Sequence, residues 1–344
     1  MKKLIIIYNW KAKKNESFPA YLEKMGYSYE IIDNSDDGAR RFWKWYKIIN
    51  SLECVGLALQ ALRRANKDDL IISMCATPGI LASICNYKHK KILVLNLLCH
   101  SSKKSRYIEK IRNQLYSHAL NKKNVWATCN AQEDVEKYKN LFSIRQGEHI
   151  FHLPDGIEID NKSLLSTNNE ICSNDIFSCG ASARDWKTLV QVAKKRPDLH
   201  FYVIARECDW NDSYNLDNIT VEFNVPYDKY LEQLRNSRLV VLTLNSQMTA
   251  GLLVMFDAIK AGKNVIMTKT VSTKQFIPKE LQDILLVDIG DVEQLLRNIQ
   301  QVLMFSKEQE LKVINYQKEY LYNNFSKEKY NQKLFELVQY IEKR

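Results

Sequence analysis

Between Val240 and Thr268 the chain reads VVLTLNSQMTAGLLVMFDAIKAGKNVIMT, which sets a glycine and a carboxylate in an apolar frame at spacings suited to holding a phosphorylated ligand. Val240–Leu244 is short and apolar, and Thr249-Ala250-Gly251 is a turn of small residues. Leu253, Phe256, Asp257 and Ile259 then follow at helical spacing until Gly262-Lys263. In a strand–helix–strand unit the helix N-terminus points at the carboxyl edge of the sheet, where ligands bind. Free amides at Ala250, Gly251 and Leu252, backed by the helix dipole, make an anion site suited to a diphosphate. Gly251 lets the backbone come close to the ligand. Asp257 sits about two turns on, on an otherwise apolar face, and needs a partner if buried. The same pattern also fits an ordinary crossover helix whose small residues only permit tight packing.

Three cations stand where such a ligand needs them. Arg184 lies in the loop Ala181–Trp186 that follows the apolar run Ile176–Gly180, so it is the first candidate for a diphosphate. A surface pair with Asp185 is its alternative. Lys187 opens the next helix, and Arg206 directly follows the run ending at Ala205. In the first half, His100 follows the run Ile92–Leu98, where a loop histidine could bond a ligand hydroxyl or act as a base. Lys103, Lys104 and Arg106 could meet a phosphate.

These residues must be positioned by alternating strands and helices. Leu4–Tyr8, Ser28–Ile32, Ile71–Cys75, Ile92–Leu98 and Val125–Thr128 read as strands, with helices over Phe18–Met25, Tyr107–Leu120 and Gln132–Leu141. Thr77-Pro78-Gly79 starts a further helix, with proline in its first turn. The second half continues with strands at Ile176–Gly180, Leu199–Ala205 and Ile219–Phe223, and helices over Lys187–Lys195 and Tyr227–Asn236. This is α/β with a mainly parallel sheet in each half. A chain of 344 residues, 45% hydrophobic, suggests two full-sized domains. We place an N-terminal domain at 1–155, a second at 156–315, and a helical segment at 316–344. Its last helix, Ser326–Lys343, is amphipathic.

Charge is lopsided. The net charge is +10, while residues 1–130 hold 23 Lys/Arg against 10 Asp/Glu, a balance of +13 that leaves −3 for the remainder. Such a basic half implies an anionic partner. Arg40, Arg41, Trp43, Lys44 and Lys47 mix cations with interfacial aromatics, which suits an anionic membrane surface. Continued as a helix, the segment places Trp45, Ile48, Ile49, Leu52, Leu59 and Leu62 near one face, so a stripe docked into the core is the alternative. No helix-turn-helix, RNA-binding or zinc-finger pattern supports a nucleic-acid partner. The eight cysteines form no C-x-x-C pair and read as buried reduced thiols. The N-terminus has a signal peptide's outline, but its apolar run Leu4–Ile7 is too short, and no run reaches the roughly 20 apolar residues of a membrane span.

Three phrases carry a resemblance. Gly180…Arg184-Asp185-Trp186-Lys187-Thr188-Leu189…Ala193, then Gly251…Asp257-Ala258-Ile259-Lys260-Ala261-Gly262-Lys263-Asn264-Val265-Ile266, and Leu153-Pro154-Asp155-Gly156-Ile157-Glu158 stand in order along the chain. Together they resemble the GT-B glycosyltransferases of the family 4-like group. The resemblance implies two Rossmann-like domains facing across a cleft, with the C-terminal helix crossing back to the first. It implies a donor site built on Gly180, Arg184, Lys187, Arg206, Asn224, Thr249, Ala250, Gly251, Leu252 and Asp257. In that family Asp257 receives the ribose hydroxyls, the region of Asn224 meets the nucleobase, and a histidine in the position of His100 lies beside the donor sugar. Asn9 and Trp10, after the first strand, are implied to touch donor or acceptor. The chain departs from the pattern at Thr249 and Asp257, where many retaining members carry glutamate at both ends of an E-x7-E motif, and at Asn264, where proline is usual.

The reading that follows is a cytoplasmic enzyme, peripheral at the inner face of the cell membrane. It transfers a sugar from a nucleotide diphosphate-sugar, UDP rather than GDP, to a saccharide or lipid-linked saccharide in bacterial surface polysaccharide assembly. No metal or other cofactor is expected. A catalytically silent nucleotide-sugar binder or scaffold, or a nucleotide-sugar epimerase on the same fold, are the alternatives.

Overall fold

Runs such as Leu4–Ile7, Leu70–Ser73, Leu239–Leu242 and Asn264–Thr268 are buried along their whole length. Continuous burial is what a parallel strand covered by helices on both faces requires. A computed structural model describes all residues except 1–2, 14–15, 35–45, 99–105, 146–148, 160–174 and 248–249, and the side chains of 46–48. The chain forms two compact units, 1–156 with 327–344, and 157–326. Residues 316–326 thus belong to the second unit and 327–344 to the first.

The first unit runs β1 (Leu4–Ile7), α1 (Ser17–Lys24), β2 (Tyr29–Ile32), α2 (Tyr46–Arg64), β3 (Leu70–Ser73), α3 (Ala76–Cys85), β4 (Lys91–Val94), α4 (Arg106–Leu120), β5 (Val125–Cys129), α5 (Gln132–Leu141) and β6 (Ile150–His152). Its six strands are parallel, in the order β2-β1-β3-β4-β5-β6. Helices α2 to α5 share one core, which includes Ile5, Ile71 and Val94. The alternate residues Leu4, Ile6 and Leu93 face the other core, beneath α1 and the C-terminal helix.

The second unit holds β7 (Ile176–Cys179), α6 (Trp186–Lys195), β8 (Phe201–Ala205), β9 (Ile219–Phe223), α7 (Tyr227–Asn236), β10 (Leu239–Leu242), α8 (Leu252–Lys260), β11 (Asn264–Thr268) and β12 (Leu286–Val287). Helices α9 (Val292–Leu303) and α10 (Lys307–Phe325) complete it. The sheet is again parallel, ordered β12-β11-β10-β7-β8-β9, so its direction of winding reverses between β7 and β10. Helix α11 (Lys327–Glu342) returns to the first unit, as expected, and buries Leu334, Phe335, Val338 and Ile341 there. Within the second unit, Ile157 donates its amide to the Phe325 carbonyl (2.8 Å).

Two local expectations change. The strand expected over Ile92–Leu98 stops at Val94, because Asn96 is left-handed (φ 56°) and turns the backbone out of the ladder, although Leu95 and Leu97 stay buried. Helix α2 buries Cys54, Leu57, Ala58 and Ala61, and leaves Leu52 and Leu59 exposed. Small residues on that arc let the helix approach its neighbours closely, while Leu62 of the larger apolar arc still packs against the core. The rest of the basic aromatic segment, Arg40, Arg41, Trp43 and Lys44, lies outside the described residues, as does the Lys47 side chain. Among the described cysteines none is bridged; Cys54, Cys129 and Cys179 are buried as expected, while Cys85 and Cys208 are exposed.

Candidate active site

The reversal between β7 and β10 opens a crevice at the carboxyl edge of the sheet, the place where doubly wound sheets receive ligands. The loops after these two strands are stitched together. Asp185 donates its amide to the Thr243 carbonyl (3.0 Å) and Asn245 donates to the Ala183 carbonyl (2.9 Å). The Thr243 hydroxyl donates to the Asp185 carbonyl (2.8 Å), and the Asn245 amide group to the Arg184 carbonyl (3.2 Å).

Arg184 folds back into this frame. Its Nε donates to the Cys179 carbonyl at 2.7 Å, and Nη1 to the Ser182 carbonyl at 3.3 Å. The guanidinium fills a slot between two glycines. A Cβ on Gly180 (φ 128°) would fall 2.2 Å from Nη2, and one on Gly251 (φ 79°) 3.2 Å from Nη1. The residue is only 9% exposed, and burial is what lowers its pKa from the usual guanidinium value. Among the described residues no carboxylate pairs with it. Asp185 is engaged elsewhere: it caps α6 through the Thr188 amide (3.1 Å) and accepts from the Thr188 hydroxyl (2.6 Å). Among the described residues the guanidinium is held by carbonyls alone, an arrangement that leaves its charge able to receive an anion.

Gly251 is also the N-cap of α8, left-handed and without a side-chain cap, so the first-turn amides have no partner within the helix. Ala250 is buried beside it and Leu252 half-buried; Thr249 lies outside the described residues. Asp257, two turns along, accepts from the Tyr230 hydroxyl on Oδ2 (3.1 Å) and pairs through Oδ1 with Lys260 (3.1 Å). Burial pushes the Tyr230 hydroxyl well above its ordinary pKa, with the nearby Cys179 and Asp257 adding to the rise. Burial also pushes the Cys179 thiol up to about 12, so it stays a neutral wall of the site.

Gly180, Arg184, Gly251 and Asp257 therefore converge on one edge. The other donor candidates stand apart from that cluster. Arg206 is exposed and paired with Asp209 (2.6 Å). Lys187 is exposed in the first turn of α6, and Asn224 is exposed in left-handed backbone (φ 52°) after β9. Sequence reasoning passed over Tyr230 and its neighbour Tyr227, an exposed ring tilted against that of Tyr230 with centroids 5.6 Å apart. Their i, i+3 spacing at the start of α7, directly after a strand end, was the available signal.

In the first unit, Asn9 and Cys75 follow β1 and β3, where that sheet reverses, and the Cys75 thiol donates to Asn9 Oδ1 at 3.1 Å. Trp10 is exposed and packs edge-on against Tyr8. Arg106 begins α4 on the surface. His100, Lys103 and Lys104 lie outside the described residues.

The sequence matches no protein-family model and no curated protein. Solved structures match in fold along the whole chain. The E. coli trehalose-6-phosphate synthase, bound with UDP-2-fluoro glucose, is 9% identical with a TM-score of 0.68, over 100% of this chain and 99% of that one. HepE of Anabaena, in complex with UDP and glucose, is 12% identical with a TM-score of 0.63, over 98% and 100%. The lipopolysaccharide outer core galactosyltransferase WaaB is 11% identical with a TM-score of 0.63, over 98% and 99%. The two doubly wound units with a returning C-terminal helix are thus the GT-B fold.

Proposed function

We propose that the chain is a glycosyltransferase of the family 4-like group, moving a hexose from a nucleoside diphosphate-sugar to a saccharide or lipid-linked saccharide. The observation that carries this reading is the buried Arg184, paired with no carboxylate among the described residues and set between Gly180 and the N-terminus of α8. In the reaction the bond from the anomeric carbon to the diphosphate breaks, and its electron pair stays on the phosphate oxygen. The acceptor oxygen bonds to that carbon and loses its proton. Arg184 and the α8 amides answer the charge that grows on the leaving diphosphate, so no metal is required. Asp257, held by Tyr230 and Lys260, takes the ribose hydroxyls. His100 is assigned to the sugar or the acceptor proton, with Asn9, Trp10, Lys103, Lys104 and Arg106 on the acceptor side. UDP is favoured over GDP because HepE and the trehalose-6-phosphate synthase are seen with UDP or a UDP-sugar. The basic balance of residues 1–130 supports an acceptor presented at the inner face of an anionic membrane, in surface polysaccharide assembly.

The test is transfer of labelled sugar from a panel of UDP- and GDP-sugars to lipid-extracted and soluble saccharide acceptors, with and without a chelator. UDP-sugar turnover that needs an acceptor and persists in chelator supports the reading. Thr249, in place of the family's glutamate, favours one second reading, a silent nucleotide-sugar binder, which predicts donor binding without turnover.

A further inference from the structure

The connections that lead into β3 and β4 border a cavity of about 380 Å³ at the amino edge of the first sheet. Asn9 and Cys75 follow their strands at the carboxyl edge, so the cavity is on the opposite side of this unit from them. Its wall comes from the last turns of α2 and α3 and from the loop before β4. Leu59 and Leu62 give it an apolar side, Tyr87 adds an exposed ring, and Arg63, Lys88 and Lys90 supply three cations. Among the described residues no carboxylate lines it.

The loop is held in place. Asn86 is buried, donates to the Lys90 carbonyl (2.7 Å) and accepts from the Lys90 amide (3.0 Å). Lys90 is only 5% exposed, and its Nζ donates to the Leu62 and Ala65 carbonyls at the end of α2. Lys122 does the same for α3 through the carbonyls of Ser83 (2.6 Å) and Ile84 (3.2 Å). These two lysines answer the negative ends of the helices. Arg63 and Lys88 have no such task. Among the described residues neither meets a carboxylate, and Lys88 lies over the Tyr87 ring at 5.6 Å.

Charge decides what the cavity can hold. Burial lowers the Lys90 pKa and Lys88 lowers it further, while Asp69 opposes them, so Asp69 is the carboxylate that acts here. It is itself buried and accepts from the Lys3 amide (2.9 Å) and the Asn66 amide (2.7 Å). Set the four cations against Asp69 and two helix ends of about half a negative charge each, and roughly two positive charges remain. A neutral ligand leaves both unanswered, and a carboxylate answers one. A phosphate monoester, close to a dianion at neutral pH, answers both, and the fork of Arg63 matches phosphate geometry. The apolar wall favours an ester with an aromatic or aliphatic body, and the volume is that of a small-molecule site. We propose that this cavity is a second ligand site, which takes a small soluble phosphate monoester with an apolar body. Arg63, Lys88 and Lys90 hold the phosphate, and Leu59, Leu62 and Tyr87 receive the body. No residue of the donor site takes part, so the site stands independently of the function proposed above.

The test is calorimetric titration of phenyl phosphate into the full chain, with and without saturating UDP, and into Arg184→Ala. Neither UDP nor Arg184→Ala is expected to change its affinity by more than about twofold. Inorganic phosphate, which has no apolar body, should bind about tenfold more weakly. Arg63→Ser/Lys88→Ser, at two exposed positions, should lose about tenfold or more, with UDP affinity unchanged. Cys85 also lines the cavity and reports its occupancy in the wild type. Cys208, exposed beside Asp209 (3.8 Å) in the second unit, is the control. Phenyl phosphate should slow alkylation of Cys85 by iodoacetamide and leave that of Cys208 unchanged, both read by peptide mass. The proposal is overturned if phenyl phosphate does not bind, if the double variant binds it like the wild type, or if Cys85 is not protected. It is equally overturned if UDP displaces phenyl phosphate or Arg184→Ala abolishes its binding, because the anion then sits in the donor slot. Failure of UDP to bind, with phenyl phosphate binding intact, would instead strike the donor-site reading alone.

Discussion

The hydroxyl of Tyr230 donates to Oδ2 of Asp257 across 3.1 Å, tying α7 to α8, while Lys260 holds the other carboxylate oxygen. One partner comes from 27 residues up the chain and the other from the next turn of the same helix. The aspartate is thereby fixed in one orientation, which matters because it is a methylene shorter than glutamate. Tyr230→Phe keeps the ring packing on Phe177 and removes the hydroxyl. It is expected to weaken UDP about three- to tenfold, the worth of roughly one hydrogen bond. Binding of 2′,3′-dideoxy-UDP should not change, since that ligand has no hydroxyl pair for Asp257. Equal weakening of both would mean that Tyr230 acts on the fold alone.

Gly180→Ala tests the slot that holds the guanidinium. The new methyl would stand 2.2 Å from Nη2, at a φ of 128° that side chains rarely adopt. Arg184 must leave its place. Calorimetry should show UDP binding reduced to nearly the level of an Arg184 truncation, whereas Gly56→Ala, with open space around its Cβ position, leaves it unchanged.

Arg206→Ala separates the cations. Arg206 is exposed and already paired with Asp209, so its removal should alter UDP affinity by less than about twofold. A drop as large as that for Arg184 would move the diphosphate site to the end of β8.

Asp155 gives a pH signature. Burial raises its carboxyl pKa above the ordinary value, and its Oδ2 accepts from the Asn130 amide group at 2.6 Å. The folded chain therefore holds this proton more firmly than the unfolded chain. Its contribution to stability is complete below the unfolded value of about 3.9 and is lost as pH rises through the folded value. Asp155→Asn keeps an acceptor for Asn130 without the charge. Thermal unfolding should show the variant more stable than wild type at neutral pH, with the gap closing in acid. A constant gap across pH would contradict the assignment.

The sequence made the sheets legible because parallel strands buried on both faces leave unbroken apolar runs, as at Ile5–Ile7 and Val240–Leu242. Arg184 and Gly251 were legible because loops after such strands gather at one edge. The bond from Tyr230 to Asp257 was not, since it depends on how α7 docks beside α8. The necessity of Gly180 became visible only with the arginine folded over it. In α2 two apolar arcs share one helical period, and the arc of Cys54, Ala58 and Ala61 is the buried one because small side chains allow the closer approach. Periodicity alone does not choose between them.

The most direct measurement is calorimetric titration of UDP and of GDP into the wild-type chain and into Arg184→Ala. The account predicts that UDP binds in the micromolar range, more tightly than GDP, and that the variant loses about a hundredfold, as expected when charge-assisted bonds to a diphosphate are removed. If neither nucleotide binds the wild type, or if UDP binds the variant as tightly as the wild type, the buried guanidinium is not a diphosphate site and the transferase reading loses its main support.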